Sequence, residues 1–368
     1  MVSIDQDQID PQSAETTEPG RSEMPSWINK IHPVAWLLIL FLLFVPAFTN
    51  NFVQFQIFGW SFLLGMVALS LMFLAGYGGM VSLVQMTIAA CAGYIAAIFG
   101  ESAVTEISLG WPWWLAVPIG IGVAMVFGAI SGALAVRTEG IYTIMITLAI
   151  AAAFFYFTRQ NYVIFNGFSG FNGLKPPELF GIDWQKSTPF YYLALFFATL
   201  SYLVVVYVSR SPFGLALQGI RDNPRRMAAL GFNVTAHRVA AYAFAAFIAS
   251  IAGILLSWQN GQISPGTAGI SAVIDILVIA VVGGIRHPIG AFIGAFIYVL
   301  LRTFSLDFLT ALGLDGQRFR LLIGLGFLVI VFWSPDGVLG LWEKWKNAHA
   351  RRTEASKQKQ SHEPEAGS

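Results

Sequence analysis

Residues 211–238 read SPFGLALQGIRDNPRRMAALGFNVTAHR and lie between two apolar stretches of membrane-spanning length. A basic, capped, surface-type segment in that position marks a place where an oily bundle meets a water-soluble partner. A second stretch, residues 281–302, VVGGIRHPIGAFIGAFIYVLLR, sets glycines at a polar break between two apolar half-segments. Discontinuous helices of this kind line transport paths, so the second stretch argues for a packed translocation body and not a simple anchor.

Composition agrees. Of 368 residues 56% are hydrophobic and 11% charged, well below the roughly 25% charge of a soluble domain, and apolar runs near the ~20 residues needed to cross a bilayer recur along the chain. The expected fold is all-α, a polytopic transmembrane helical bundle of about ten segments at 34–49, 54–76, 80–100, 113–136, 141–158, 189–209, 239–259, 271–284, 289–304 and 319–335. Segment 80–100 and the pair around Gly283-Gly284 read as broken or re-entrant pieces, which would leave eight full crossings. Such breaks are tolerated where protein or a water-filled path covers the exposed backbone.

Orientation follows from where the cations fall. The loop 210–238 carries five Arg against one Asp, and the tail beyond Trp342 carries Lys344, Lys346, Arg351 and Arg352, whereas residues 31–136 hold no Lys or Arg. Both basic regions are expected in the cytoplasm. An even number of crossings puts both termini there, with Arg302, Arg318 and Arg320 as counter-evidence on the outer side. Residues 1–30 then form a disordered cytoplasmic tail, 31–340 the membrane domain and 341–368 a basic, polar, disordered tail. Trp111, Trp113 and Trp114 read as an interfacial aromatic belt. The polar loop 159–188 lies outside, read either as a docking surface for an extracytoplasmic partner or as a mobile connector.

Within 210–238, Asn223 suits a helix N-cap, Pro224 its first position and Gly231 the left-handed residue that ends it. Pro224 to Leu230 is therefore expected to be a two-turn helix. It has Arg225 and Arg226 in its first turn, where the helix dipole disfavours cations by about a few tenths of a kcal/mol, and Met227, Ala228, Ala229 and Leu230 as an apolar knob. A helix this short is marginal alone and needs a partner or the bundle to hold it; the competing explanation is that the cations merely fix topology. Gly128/Gly132 and Gly290/Gly294 each place two glycines on one helix face, read first as close helix packing. Asp275, an ionisable residue inside a span, is either a functional group or an interhelical hydrogen-bonding one.

Absences narrow the chemistry. Cys91 is alone and the five histidines show no ligand spacing, so neither an intrachain disulfide nor a metal site is expected. No Gly-Lys dipeptide occurs, which removes the phosphate-cradling loop of an ATPase. No chain of intramembrane carboxylates suggests an ion relay.

Four blocks then support a resemblance: Gly76-Tyr77-Gly78-Gly79 with Ser82-Leu83 and Gly93-Tyr94; Arg137-Thr138-Glu139-Gly140-Ile141-Tyr142 leading to Thr147-Leu148-Ala149; Gly214 through Ile220-Arg221-Asp222-Asn223 to Ala229-Leu230-Gly231; and Gly283-Gly284 to Gly290 and Gly294. In this order they resemble the M-type permease subunit of ATP-binding-cassette importers for branched-chain amino acids, in a wider family that also carries urea and sugar importers. The resemblance implies that Arg221, Asp222, Asn223, Pro224, Arg225, Arg226, Ala229, Leu230 and Gly231 form the ATPase-coupling element. It implies as partners two cytoplasmic ABC ATPases, a homologous second permease and an extracytoplasmic substrate-binding protein, in a bacterial inner membrane. No cofactor is expected in this chain, since ATP and Mg would be bound by the ATPases. Candidates for the translocation path are Ser82, Gln85, Tyr94, Tyr142, Asp275, Gly283, Gly284 and Gly290. The chain departs from the family at Val84-Gln85-Met86-Thr87, at Arg286 and at Gly290-Ala291, positions that bear on substrate. The expected cargo is a branched-chain or other amino acid, with urea or short amides as an alternative; a self-sufficient secondary transporter or channel is the reading from another class.

Overall fold

The computed structural model describes residues 42–311 except 139, 178–180, 182 and 286, together with 324 and 325. The chain divides into two units, residues 1–48 and 49–368. In the first, residues 42–48 are helical; the tails at 1–30 and 341–368 lie outside the described residues. Among its described residues the second is helical apart from its connections and one two-residue strand pair.

Its helices are α1 (Val53–Tyr77), which opens and closes with π-helical turns, α2 (Gln85–Phe99), α3 (Trp113–Ala135), α4 (Ile141–Gln160), the single turn α5 (Tyr162–Phe165) and α6 (Ser187–Arg210). They continue with α7 (Pro212–Asp222), α8 (Pro224–Ala229), α9 (Val234–Asn260), α10 (Ile270–Gly283) and α11 (Pro288–Ala311). Strand β1 (Phe171–Asn172) pairs antiparallel with β2 (Gln262–Ile263), Phe171 opposite Ile263.

Among the described residues five helices, α1, α3, α4, α6 and α9, are long and apolar enough to cross a membrane, and a sixth span is counted if α10 and the start of α11 are one bent unit. Of the ten expected segments, eight fall within the described residues. The eight segments expected between 54 and 304 all correspond to helices, but three do not qualify alone. At 15 residues α2 rises only about 22 Å against a hydrocarbon core of about 30 Å. At 14 residues α10 is shorter still, and it meets α11 at 117°. Segment 319–335 and most of 34–49 lie outside the described residues.

Hydrophobicity decides which helices are inside. A helix apolar all round belongs at the centre, and 89% of the apolar window of α1 is buried. Around it α2 and α9 are buried along most of their length, α9 packing on α1, α2 and α3. The outer helices bury only a narrow stripe of small residues, Ala116, Gly120, Ala124 and Gly128 at four-residue spacing in α3, and Thr143, Thr147 and Ala151 in α4. Their other faces stay open, 22% of the α4 window being buried. Small residues let backbones approach where no hydrophobic force separates lipid from side chain. A Cβ on Gly132 would fall 2.5 Å from Tyr242 Cβ of α9, and one on Gly128 would strike Ala246, so this pair performs the close packing expected of it. The hydroxyls of Ser131, Thr147, Thr158 and Ser257 bond to carbonyls one turn back, which satisfies them in an apolar interior.

The starts of α1 and α6 share one end of the bundle with the finish of α9, since Thr188 donates to Gln54 (2.9 Å) and Gln259 donates to the Phe55 carbonyl (2.7 Å). Here residues 161–174 of the loop 159–188 are tied down. Asn161 caps α5 by accepting from Val163 and Ile164, and Asn166, left-handed at φ 55°, donates to the Gly170 carbonyl. Phe165, Phe171 and Leu174 then pack with Tyr94, Ala97 and Ile263 in one buried cluster, while Ala103 N donates to Asn172 O. This is the capped end; Trp111, Trp113 and Trp114 stand exposed near it at the start of α3. Arg302 lies 5.4 Å from the Trp60 ring.

One pair of substitutions tests the packing. A Cβ on Gly253 of α9 would strike the Ala89 carbonyl and lie 2.6 Å from Ala89 Cα, whereas one on Gly122 of α3 meets nothing within 4 Å. Gly253→Ala is expected to destabilise by about 1–3 kcal/mol through overpacking, while Gly122→Ala is neutral or stabilising by up to about 1 kcal/mol. Thermal unfolding of detergent-solubilised protein reads both, and equal effects would refute the assignment.

Candidate functional site

At the opposite, hairpin end, Ser211 ends α6 and begins α7: its side chain accepts from Gly214 N, with Pro212 at the first helical position. Helix α7 is amphipathic and buries Gly214, Ala216, Leu217 and Ile220. Asn223 repeats the device, accepting from Arg226 N at 3.0 Å with Pro224 next, and starts α8. The short helix ends at Ala229, one residue before the expected Leu230, and Gly231 follows at φ +90°.

No residue of α8 is buried. Arg225, Arg226, Ala229 and Leu230 are exposed, Leu230 at 66%. Of the expected apolar knob, Met227 turns inward: a Cβ on Gly219 of α7 would sit 2.9 Å from its sulfur. That contact holds a helix too short to stand alone. His237 stacks on Phe213 with ring centroids 4.5 Å apart, tying the start of α9 to the start of α7.

Arg221 behaves differently from its neighbours. Its Nη1 donates to the Gly76 carbonyl in the last turn of α1 at 2.6 Å, while Nε and Nη2 engage Asp222 at 2.9 Å. A carbonyl in the last turn of a helix lacks an intrahelical donor, and a guanidinium bond to it is charge-assisted. The side chain lies over Gly79, where a Cβ would be 2.6 Å from Arg221 Cγ and φ is +67°, a conformation glycine adopts freely. Leu217 sits against Gly78, and a Cβ on Gly76 would be 2.6 Å from the Ile285 carbonyl beyond α10. Thus the α7–α8 hairpin, the end of α1 and the α10–α11 break meet at Gly76. A fourth element joins just beyond, where Leu83 N donates to Thr147 Oγ1 of α4 at 3.1 Å.

The α10–α11 break is held by interlocked glycines. A Cβ on Gly283 would strike the Gly290 carbonyl, one on Gly290 would lie 2.7 Å from the carbonyls of Gly283 and Gly284, and one on Gly294 would strike Ile279 O.

The expected path residues do not form one site. Ser82 and Gln85 are fully buried where α2 begins, and Gln85 accepts from Ser70 of α1 (3.2 Å). Tyr94, nine residues on, belongs to the aromatic cluster of the capped end, edge-on to Phe165 with centroids 5.4 Å apart. Tyr142 is 66% exposed on the outside of α4. Asp275 is half-buried on α10, and Gly283, Gly284 and Gly290 form the bend. Sequence reading passed over α7, although Ser211-Pro212 carries the same signal as Asn223-Pro224, and gave no role to Arg238 or Tyr242, both at the hairpin end of α9. Among the described residues no group of three or more His, Cys, Asp or Glu could hold a metal ion.

Comparison with known proteins agrees with this architecture. A family model described as the permease component of a branched-chain amino acid transport system matches residues 53–331. The high-affinity branched-chain amino acid transport system permease proteins LivM of Salmonella typhimurium and Escherichia coli are each 24% identical over 315 residues, covering 78% of this chain and 69% of theirs. The ribose import permease protein RbsC of Haemophilus influenzae is 23% identical over 252 residues, 67% of this chain and 76% of its own. No solved structure matches. A bundle with a discontinuous α10–α11 span, an exposed cationic hairpin and no ATP-binding loop fits these relatives, and the chain belongs to the branched-chain amino acid permease family of ABC importers, a multi-pass membrane subunit that is not itself the ATPase.

Proposed function

We propose that this chain is one of two permeases that together form the path of an importer for branched-chain or other amino acids in a bacterial inner membrane. In this reading two cytoplasmic ABC ATPases bind and hydrolyse ATP with Mg, and an extracytoplasmic protein delivers the solute. The hairpin end and both termini face the cytoplasm, and the capped end faces out. The observation that carries the reading is the pairing of an exposed, cationic α8 with the Arg221 bond to Gly76. A partner gripping α8 moves α7 through Met227, and α7 moves the end of α1 through Arg221. The end of α1 continues directly into Met80–Val84 and the buried start of α2. A motion imposed at the surface therefore arrives at non-helical backbone inside the bundle, the part best able to change shape.

Arg225 and Arg226 reach outward and Arg221 reaches inward, so the two sets of cations separate docking from transmission. Amino acids as cargo are supported by the LivM relatives, which are named for branched-chain ones; RbsC is named for ribose, and urea or short amides stand as the alternative.

Charge reversal at α8, Arg225→Glu with Arg226→Glu, is expected to release the ATPases from the purified complex and reduce leucine uptake into ATP-loaded proteoliposomes by more than about tenfold. Unchanged uptake, or uptake by this chain without ATP and without partners, would replace the importer with a self-sufficient transporter. Arg221→Ala gives a different phenotype: the ATPases still copurify and hydrolyse ATP, but uptake per ATP falls about tenfold. If the variant instead loses the ATPases, Arg221 is a docking residue.

A further inference from the structure

Where α2 begins, polar atoms collect with few partners. Ser82, Gln85 and Tyr242 are fully buried and Arg238 half-buried; Gln85 Nε2 and Arg238 Nε have neither a hydrogen bond nor solvent, and Ser82 Oγ and Tyr242 OH, equally shielded, have only each other. Ser70 occupies the Gln85 carbonyl oxygen, which leaves only the amide N–H groups of that side chain to offer. Tyr242 OH is turned toward Ser82 and lies within electrostatic reach of Arg238, one turn earlier on α9. The first turn of α2 has no side-chain cap, so its own N–H groups and the positive end of its dipole lie beside Gln85.

Each buried polar group left unpaired costs about 1–3 kcal/mol. Several together at the junction of α1, α2 and α9 need a partner in some state of the protein. Their chemistry says which partner: the set is rich in donors, includes a guanidinium, and contains no carboxylate. Arg221 pairs with Asp222, and among the described residues no carboxylate pairs with Arg238. Water could satisfy the hydroxyls, but a cation with aligned N–H donors selects an anionic oxygen.

The geometry points to a carboxylate-binding station at the hairpin end of the path, in which Arg238, Tyr242, Ser82, Gln85 and the first turn of α2 hold the carboxylate of the passing solute. It rests on the importer reading above and adds what that reading lacks, a group inside the membrane that recognises part of the cargo. The station is packed shut here, and a solute reaches it when the Met80–Val84 segment parts from α9, which is the segment that the Arg221 contact governs.

The test uses the complete complex of permeases and ATPases in nanodiscs, without binding protein, with tritiated leucine as probe. Leucine and isovalerate are expected to displace the probe, and leucinamide to do so at least about tenfold less well. Arg238→Gln erases that preference and Arg238→Lys retains part of it; if Arg238→Gln does not assemble, Tyr242→Phe, which keeps the ring against Gly132, is read instead. Absence of leucine binding, equal displacement by leucinamide, or an unchanged preference in the variant that assembles overturns the station. Uptake into proteoliposomes with binding protein and ATP is measured in parallel. Uptake without carboxylate preference removes the station alone, and carboxylate preference without ATP-driven uptake removes the importer reading alone.

Discussion

The bond from the Arg221 guanidinium to the Gly76 carbonyl is the constraint around which the hairpin end is organised. It joins positions 145 residues apart and dictates the residue types near it. Gly79 has a positive φ and Arg221 stacked over it, Gly78 receives Leu217, and Gly76 abuts the Ile285 carbonyl. Side chains at these glycines would push the elements apart. The adjacent Asp222 steadies the guanidinium but is itself exposed, and an exposed ion pair contributes little by itself. The carbonyl bond carries the geometry.

Two kinds of helix surround this joint. The central ones, α1, α2 and α9, are enclosed by protein and packed through small residues against neighbouring backbone, as at Gly253 with Ala89 and Gly128 with Ala246. Such contacts leave no slack. The outer helices touch the centre along one stripe and are otherwise open. Among the described residues helices stop at Met80–Val84 before α2 and at Gly284 and Ile285 after α10. Both lie next to Gly76.

Local rules predicted local features well. Cap logic at Asn223, Pro224 and Gly231 placed α8 to within one residue, and hydropathy located the eight longer apolar helices, α1–α4, α6 and α9–α11, though not α5 or α7. Hydropathy marked about ten apolar segments, with 80–100 and the pair around Gly283-Gly284 read as broken or re-entrant; what it could not show is that α2 is as short as 15 residues and that α10 meets α11 at 117°. The loop 159–188 was read as either a docking surface or a mobile connector, and the order of its residues 161–174 was not legible because it comes from Phe165, Phe171 and Leu174 meeting Tyr94 and Ile263, contacts with no signature in a single segment. For the same reason Tyr94 was read as a path residue. That Arg221 points inward while Arg225 and Arg226 point out was likewise invisible, since all three are one residue type in one basic run.

The strand pair at the capped end has a mechanical consequence. Phe171 is sewn to Ile263 just past α9, and the same patch clamps Tyr94 of α2. A protein that tugs on residues 161–174 therefore tugs on α2 and α9 together, like a hand on two reins, and the far ends of those reins are Gln85 and Arg238. In the proposed importer, arrival of cargo at one end and the stroke of the motor at the other would thus be felt by the same two rods.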